Sequence, residues 1–78
     1  MATLRLFASA REAAGVTRVD LDGATVGEVL NVARARYGEH FAAVLASSRV
    51  WLNGDETSDE AAVGAGDEIA VLPPVSGG

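Results

Sequence analysis

The chain has 78 residues, a net charge of −5, a sequence pI near 4.5 and no cysteine. This length gives one domain with a modest core, and the lack of cysteine excludes disulfides, thiolate chemistry and zinc sites built on cysteine. The acidic balance argues against nucleic acid as a partner, because phosphate binding needs a basic patch, and it favours a basic protein partner.

The start of the chain lacks the features of a targeting segment. Residues 1–5 show no basic flank followed by a sustained apolar run. No apolar run approaches the roughly 20 residues that span a membrane. Small secreted domains usually carry disulfides. We therefore expect a cytoplasmic protein that does not contact a membrane.

Two strands are predicted at the start of the chain. Residues 3–8 and 16–21 alternate apolar with polar side chains, as strands do. Residues 9–15 between them form a loop or a short helical turn. The two strands are expected to pair as a hairpin, after which Asp22 and Gly23 turn the chain.

The helix that follows has the clearest signals. Thr25 and Glu28 form a capping box, in which the Thr25 hydroxyl accepts a first-turn N–H and Glu28 reaches back to the cap. Gly38 supplies the stop. The predicted apolar face consists of Val26, Val29, Leu30, Ala33 and Tyr37. A second, shorter helix is predicted over residues 39–46. Its inward side chains are expected to be Phe41, Val44 and Leu45.

The second half of the chain predicts two longer strands and a polar hairpin. Residues 49–52 form a strand, and the Asn-Gly pair at 53–54 is a strong hairpin signal. Residues 55–60 are polar, so any return strand there is short and exposed. A helical turn over residues 61–63 then leads to a last strand over residues 68–72.

These elements predict an α+β domain. The natural packing is a mixed sheet of four to five strands with one main helix on one face. The first and last strands are expected to be parallel neighbours at the centre of this sheet. We assign residues 1–72 to the domain and residues 73–78 to an extended tail.

The tail has an unusual composition. Pro73 and Pro74 lack the N–H that a sheet ladder needs and favour an extended stalk. Six extended residues reach at most about 20 Å, which is enough to enter a cavity of another protein. Gly77 and Gly78 could then bring a carboxylate close to catalytic groups. Adenylation with ATP and sulfide transfer would convert that carboxylate to a thiocarboxylate. The alternative is a frayed terminus without a role.

Three stretches of the chain form a recognisable pattern. They are Leu6-Phe7-Ala8 followed by Arg11-Glu12 and Gly15, then Asn53-Gly54-Asp55, and finally residues 66–78, GDEIAVLPPVSGG. Together they resemble the MoaD-type proteins, the small subunit of molybdopterin synthase in the MoaD/ThiS ubiquitin-like sulfur-carrier family. The resemblance implies a β-grasp, ubiquitin-like fold. Trp51 and the polar residues 55–60 depart from the usual pattern of this family.

The resemblance also implies a cycle with three partner proteins. An E1-like, MoeB-type enzyme would use ATP to adenylate Gly78, and a sulfurtransferase or cysteine desulfurase would supply sulfur. The thiocarboxylated tail would then enter the MoaE-type large subunit of a heterotetrameric synthase and donate sulfur to cyclic pyranopterin monophosphate. The chain itself would bind no cofactor or metal. It would be the sulfur-donating subunit and no enzyme on its own.

Site residues follow from the same resemblance. Gly78 would carry the acyl group, and Gly77 would be the required neighbour without a side chain. The residues expected to line the tunnel into the large subunit are Pro73, Pro74, Val75 and Ser76. Leu72 and Phe7 are candidates for an apolar docking surface, and Arg11 is a candidate partner for a carboxylate. The alternatives are ordinary core packing for Phe7 and a solvated position for Arg11.

Other functions remain open at this point. A sulfur carrier for thiazole, cysteine or tRNA thiolation would have the same Gly-Gly end. A ubiquitin-like modifier that is conjugated to lysines would also have it. A plain binding module with an incidental tail is the remaining alternative.

Overall fold

A single mixed sheet forms one layer of the molecule. The computed structural model describes residues 1–74. Its strands are β1 Ala2–Leu6, β2 Arg18–Leu21, β3 Arg49–Leu52, β4 Asp55–Glu56 and β5 Glu68–Leu72. They lie in the order β2-β1-β5-β3-β4. The central pair, β1 and β5, is parallel, and the other pairs are antiparallel. The predicted position of the first and last strands is therefore confirmed.

Three helices form the second layer. They are α1 Ala8–Ala14, α2 Val26–Tyr37 and α3 Glu39–Ala46. The sheet buries Ala2, Leu4, Leu6, Leu21, Ile69 and Val71 against them, and the helices contribute Ala10, Val26, Val29, Leu30, Ala33, Phe41 and Leu45. The predicted inward faces are confirmed, with Tyr37 and Val44 at the margin of the core. One helical layer on one face of a five-stranded mixed sheet is the β-grasp, ubiquitin-like fold.

Helix α2 begins with the predicted capping box in a slightly shifted form. The Glu28 N–H donates to the Thr25 hydroxyl at 3.2 Å. The Glu28 carboxylate accepts from the Ala24 N–H at 3.0 Å, one residue before the cap. Just upstream, Gly23 has φ +153°, and a Cβ there would lie 2.7 Å from the backbone nitrogen of Val29. The entry to α2 therefore requires glycine at this position.

Several element boundaries differ from the prediction. β1 ends at Leu6, before the predicted end at 8, because the chain turns sharply at Ala8, which has φ +49°, and continues as the seven-residue helix α1. β2 begins at Arg18 and not at 16. The predicted helical turn over 61–63 is wrong. Ala62 instead forms a β-bridge with Thr25, because tertiary pairing with the start of α2 replaces local helical bonding.

A polar network closes the end of the sheet where β5 begins. The Asn53 side-chain amide donates to the Asp67 carboxylate at 3.1 Å, and the Gly64 N–H donates to its other oxygen at 2.9 Å. The Glu68 N–H donates to the Asn53 side-chain oxygen at 2.9 Å. The Asn53 hydrogen bond and then the Gly64 N–H lower the pKa of Asp67 below its ordinary value of 3.8.

Replacing Asp67 by asparagine should cost stability near neutral pH and cost less in acid. The lowered folded-state pKa means that this carboxylate adds stability that is fully present above pH 3.8 and is lost as the pH falls through the folded pKa. Urea unfolding of both chains at about pH 6 and about pH 2.5 measures the difference. Asp22→Asn, at an exposed position, is the control. An equal cost of Asp67→Asn at both pH values would contradict this linkage.

Candidate functional site

The tail leaves the sheet from its central strand. Leu72 ends β5 and is 38% exposed, Pro73 is half-buried and Pro74 is exposed. Neither proline can donate to a neighbouring strand, so the ladder stops here. The predicted site residues Val75, Ser76, Gly77 and Gly78 lie outside the described residues. Their roles, and the division into a domain over 1–72 and a tail over 73–78, stay predictions.

A groove lies beside this exit. We call it the tail groove, and its lining residues are Ser47, Arg49, Trp51, Leu72, Pro73 and Pro74. Strand pairing builds it, because Arg49 lies opposite Leu72 and Trp51 lies opposite Ala70. The structure thus brings the predicted residues Leu72, Pro73 and Pro74 together. It adds Ser47, Arg49 and Trp51, which the sequence did not assign to the site.

Phe7 lies next to the exit. In the parallel ladder Leu6 pairs with Val71, so Phe7 follows at the level of Leu72. Its side chain is half-buried, and the Arg5 guanidinium carbon lies 5.4 Å from the ring centroid, within the range of a cation–π contact. Phe7 is not among the buried core residues. This position is compatible with the proposed docking role.

Arg11 lies in a different depression. It is exposed on α1, and the depression is lined by Arg11, Glu12, Gly15, Val16, Thr17 and Arg18. Arg11 does not line the tail groove. Arg11 is therefore placed near Arg18, at the β2 side of the sheet, and not at the tail exit.

The face of the sheet that points away from the helices is open among residues 1–74. Arg5 is exposed between the buried Leu4 and Leu6, so it points to this open face. Register places Ala70 and Trp51 in the same row, and Leu72 in the next row toward the tail. The open face and the tail groove are therefore continuous.

The tail groove lies apart from the carboxylates whose pKa is lowered. Within residues 1–74 no group of acidic or histidine side chains is arranged to hold a metal ion. The lowered pKa values belong to Asp67 and to Glu60, where the backbone and then Ser58 donate hydrogen bonds to the carboxylate. Both residues lie away from the tail groove. In the same part of the chain, none of the helices has the length and apolar character needed to cross a membrane.

Comparison with known proteins shows the family of this chain. The model of the ThiS family matches residues 4–78. Small archaeal modifier protein 1 of Haloferax volcanii is 41% identical over an alignment of 90 positions, which covers 95% of this chain and 97% of that protein. The solution structure of small archaeal modifier protein 1 from Methanosarcina acetivorans has a TM-score of 0.88 and 30% identity, covering 99% of this chain and 95% of that one.

Two further structures widen the comparison. The Amycolatopsis orientalis BexX/CysO complex contains a chain that is 26% identical, with a TM-score of 0.82 and full coverage of both chains. The putative molybdopterin converting factor subunit 1 of Pyrococcus furiosus is 27% identical, with a TM-score of 0.79, covering 95% of this chain and 97% of that one. Proteins of this kind are generally not catalysts themselves. The chain belongs to the ThiS family of ubiquitin-like sulfur carriers and modifiers.

Proposed function

We propose that this chain is a cytoplasmic sulfur carrier for molybdenum cofactor biosynthesis, acting as the small subunit of molybdopterin synthase. The observation that supports the proposal most is the position of the tail. Pro73 and Pro74, which begin the sequence PPVSGG, follow the exposed end of a central strand, beside a groove that joins an open sheet face. Similarity to a putative molybdopterin converting factor subunit adds to it.

In the proposed cycle, partner enzymes perform the chemistry and Gly78 carries the sulfur. An E1-like enzyme joins the Gly78 carboxylate to the AMP moiety of ATP and releases pyrophosphate. Sulfide, supplied directly or released by a thiol reductant from the persulfide of a sulfur donor, then displaces AMP, so that a C–S bond replaces the acyl C–O bond to phosphate and a thiocarboxylate forms. The large synthase subunit receives the tail, and the pterin precursor takes the sulfur. The domain holds the tail and binds these partners; no bound cofactor is assigned to it.

Intact mass spectrometry tests this proposal directly. The purified chain is incubated with an E1-like adenylating enzyme, ATP and a sulfur donor. A mass increase equal to the exchange of one oxygen for sulfur supports the carrier function. Addition of the large subunit and cyclic pyranopterin monophosphate should then give molybdopterin and return the carrier to its original mass. No mass change with wild-type chain would overturn the proposal.

A second function is favoured by one comparison. The 41% identical relative is named a modifier protein. Conjugation would use the same activated Gly78 but would end in an amide bond to a lysine of another protein. A covalent adduct of this chain with other proteins, found by mass spectrometry of cell extract treated with the adenylating enzyme and ATP, would identify this function. Molybdopterin formation with no adduct would identify the first.

A further inference from the structure

The positively charged side chains of this sequence are all arginines. They are Arg5, Arg11, Arg18, Arg34, Arg36 and Arg49. The 78 residues contain neither lysine nor cysteine. A guanidinium group stays protonated in proteins and is therefore not a nucleophile. A lysine ammonium loses its proton far more readily, and the free amine attacks activated carbonyl groups. No side chain of this sequence therefore supplies an amine or a thiol that would accept an acyl group.

One of these arginines lies close to the tail exit. Arg49 lines the tail groove, and in the β3–β5 ladder it lies opposite Leu72, the residue after which the tail begins. Its guanidinium lies 3.7 Å from the Glu56 carboxylate, and its side chain is 74% exposed. An exposed pair of this kind holds its partners weakly. Six residues of extended chain reach at most about 20 Å, so a tail that folds back is long enough to meet the side chain at position 49.

A hydroxyl in the same groove lacks the activation that acyl transfer needs. Ser47 lines the groove, and its Oγ donates to the Val44 carbonyl at 3.2 Å. A serine hydroxyl becomes an effective nucleophile when an adjacent general base takes its proton. His40, the single histidine of the sequence, lies at the start of α3, and Ser47 follows its end, about 10 Å farther along the helix axis. Among the described residues, the groove therefore places no competent acceptor beside the tail exit.

Parallel pairing of β1 with β5 keeps the α-amino group of Met1 away from the tail exit. Thr3 lies opposite Glu68, so the chain starts at the end of the sheet where β5 begins. The same register places Met1 about six residues before the level of Leu72, which is roughly 20 Å along the strand. The tail spans at most about the same distance, so its terminus would meet this amine only when fully extended and reversed.

We infer that this chain is a donor only, and that arginine at position 49 supplies positive charge beside the tail without an acceptor nitrogen. The inference rests on the proposed activation of Gly78. In the reaction that is avoided, an amine attacks the activated carbonyl, and a C–N bond replaces the acyl bond to the leaving group. The ammonium proton passes to solvent. The product would be a cyclic or dimeric chain, lighter by one water for each amide bond formed.

The inference also limits the second proposed function. If the chain is conjugated to lysines of other proteins, each modified lysine carries a single copy. No side chain of an attached copy accepts the next one, because the sequence contains no lysine.

A chemically activated tail tests the inference without an adenylating enzyme. Cleavage of an intein fusion with a small thiol leaves Gly78 as a thioester. The released chain is kept at mildly alkaline pH and about 10 μM, far below the roughly mM effective concentration of a tethered group, so that intramolecular attack dominates. Arg49→Lys introduces an amine in the tail groove, and Arg34→Lys, on α2 in the helical layer, is the matched control. Intact mass spectrometry separates the hydrolysed chain from the product that is lighter by one water.

The wild type and Arg34→Lys should give mainly the hydrolysed chain. Arg49→Lys should give at least about fivefold more of the lighter product, because its amine is tethered close to the thioester. Peptide mapping of this product should show an amide bond between positions 49 and 78. Free lysine added to the wild-type thioester should give the corresponding amide, which shows that its carbonyl is reactive.

Two results would overturn the inference. If the wild type forms the lighter product or a dimer in the same yield as Arg49→Lys, its own groups accept the acyl group. If Arg49→Lys gives no more of the lighter product than Arg34→Lys, an amine beside the tail is not attacked and arginine at position 49 has no protective effect. Neither result involves an adenylating enzyme or sulfur, so failure of the proposed function is recognised separately, by the absence of sulfur loading.

Discussion

Deletion of Gly78 should abolish sulfur loading and leave the folded domain unchanged. The proposed chemistry needs a carboxylate at the end of a slim, two-glycine segment, and the deletion moves that carboxylate to Gly77, one residue short of its site. One residue of extended chain is about 3.3 Å, and a displacement of this size removes a reacting group from its catalytic partners. We expect no detectable mass increase from the exchange of oxygen for sulfur.

The matched control for this deletion keeps the length of the tail. Asp22→Asn, at an exposed position, retains the whole tail, and it should still be loaded with sulfur. Both variants should unfold at the same urea concentration as the wild type, because the tail follows the last strand. If the chain that lacks Gly78 is fully loaded with sulfur, loading does not depend on the length of the tail.

Replacement of Phe41 by alanine should destabilise the domain by about 3–5 kcal/mol. Phe41 is the largest of the fully buried side chains, with 0% exposure, and its ring lies 5.3 Å from that of Tyr37. The substitution removes apolar contacts and leaves a cavity in a small core. Domains are stable by only about 5–15 kcal/mol, so a large part of the variant population should be unfolded in mild denaturant.

Urea unfolding followed by circular dichroism measures this loss. Val32→Ala is the control, because Val32 lies on α2 with 37% exposure and should change the free energy of unfolding by less than about 1 kcal/mol. A loss below about 1 kcal/mol for Phe41→Ala would mean that the surrounding core collapses into the cavity. Equal losses in both variants would contradict the burial of Phe41.

The elements with strong local signals were predictable from the sequence. Helix α2 has a capping box and a continuous apolar face, and the turn at Asn53 and Gly54 has residues that accept positive φ, which they adopt at +50° and +90°. Helix α1 was harder to predict as a helix. Its cap residue is Phe7, which makes no side-chain capping bond, so the usual signal for a helix start is missing.

The site was predictable only in part, because strand pairing decides its shape. The composition of residues 73–78 indicated a tail, but alternation within residues 49–52 does not say which face the helices cover. Trp51 joins the tail groove because β3 pairs with β5 in one particular register.

The parallel pairing of β1 with β5 has a consequence for folding. These strands come from opposite ends of the chain, so the central ladder joins residues that are far apart in the sequence. Such pairing forms late relative to local helix formation. The strand that completes the sheet is the one from which the tail extends. A nascent or locally unfolded chain therefore has neither the tail groove nor the strand end from which the tail starts. An activating enzyme that contacts the tail groove would thereby restrict sulfur loading to carriers that have finished folding.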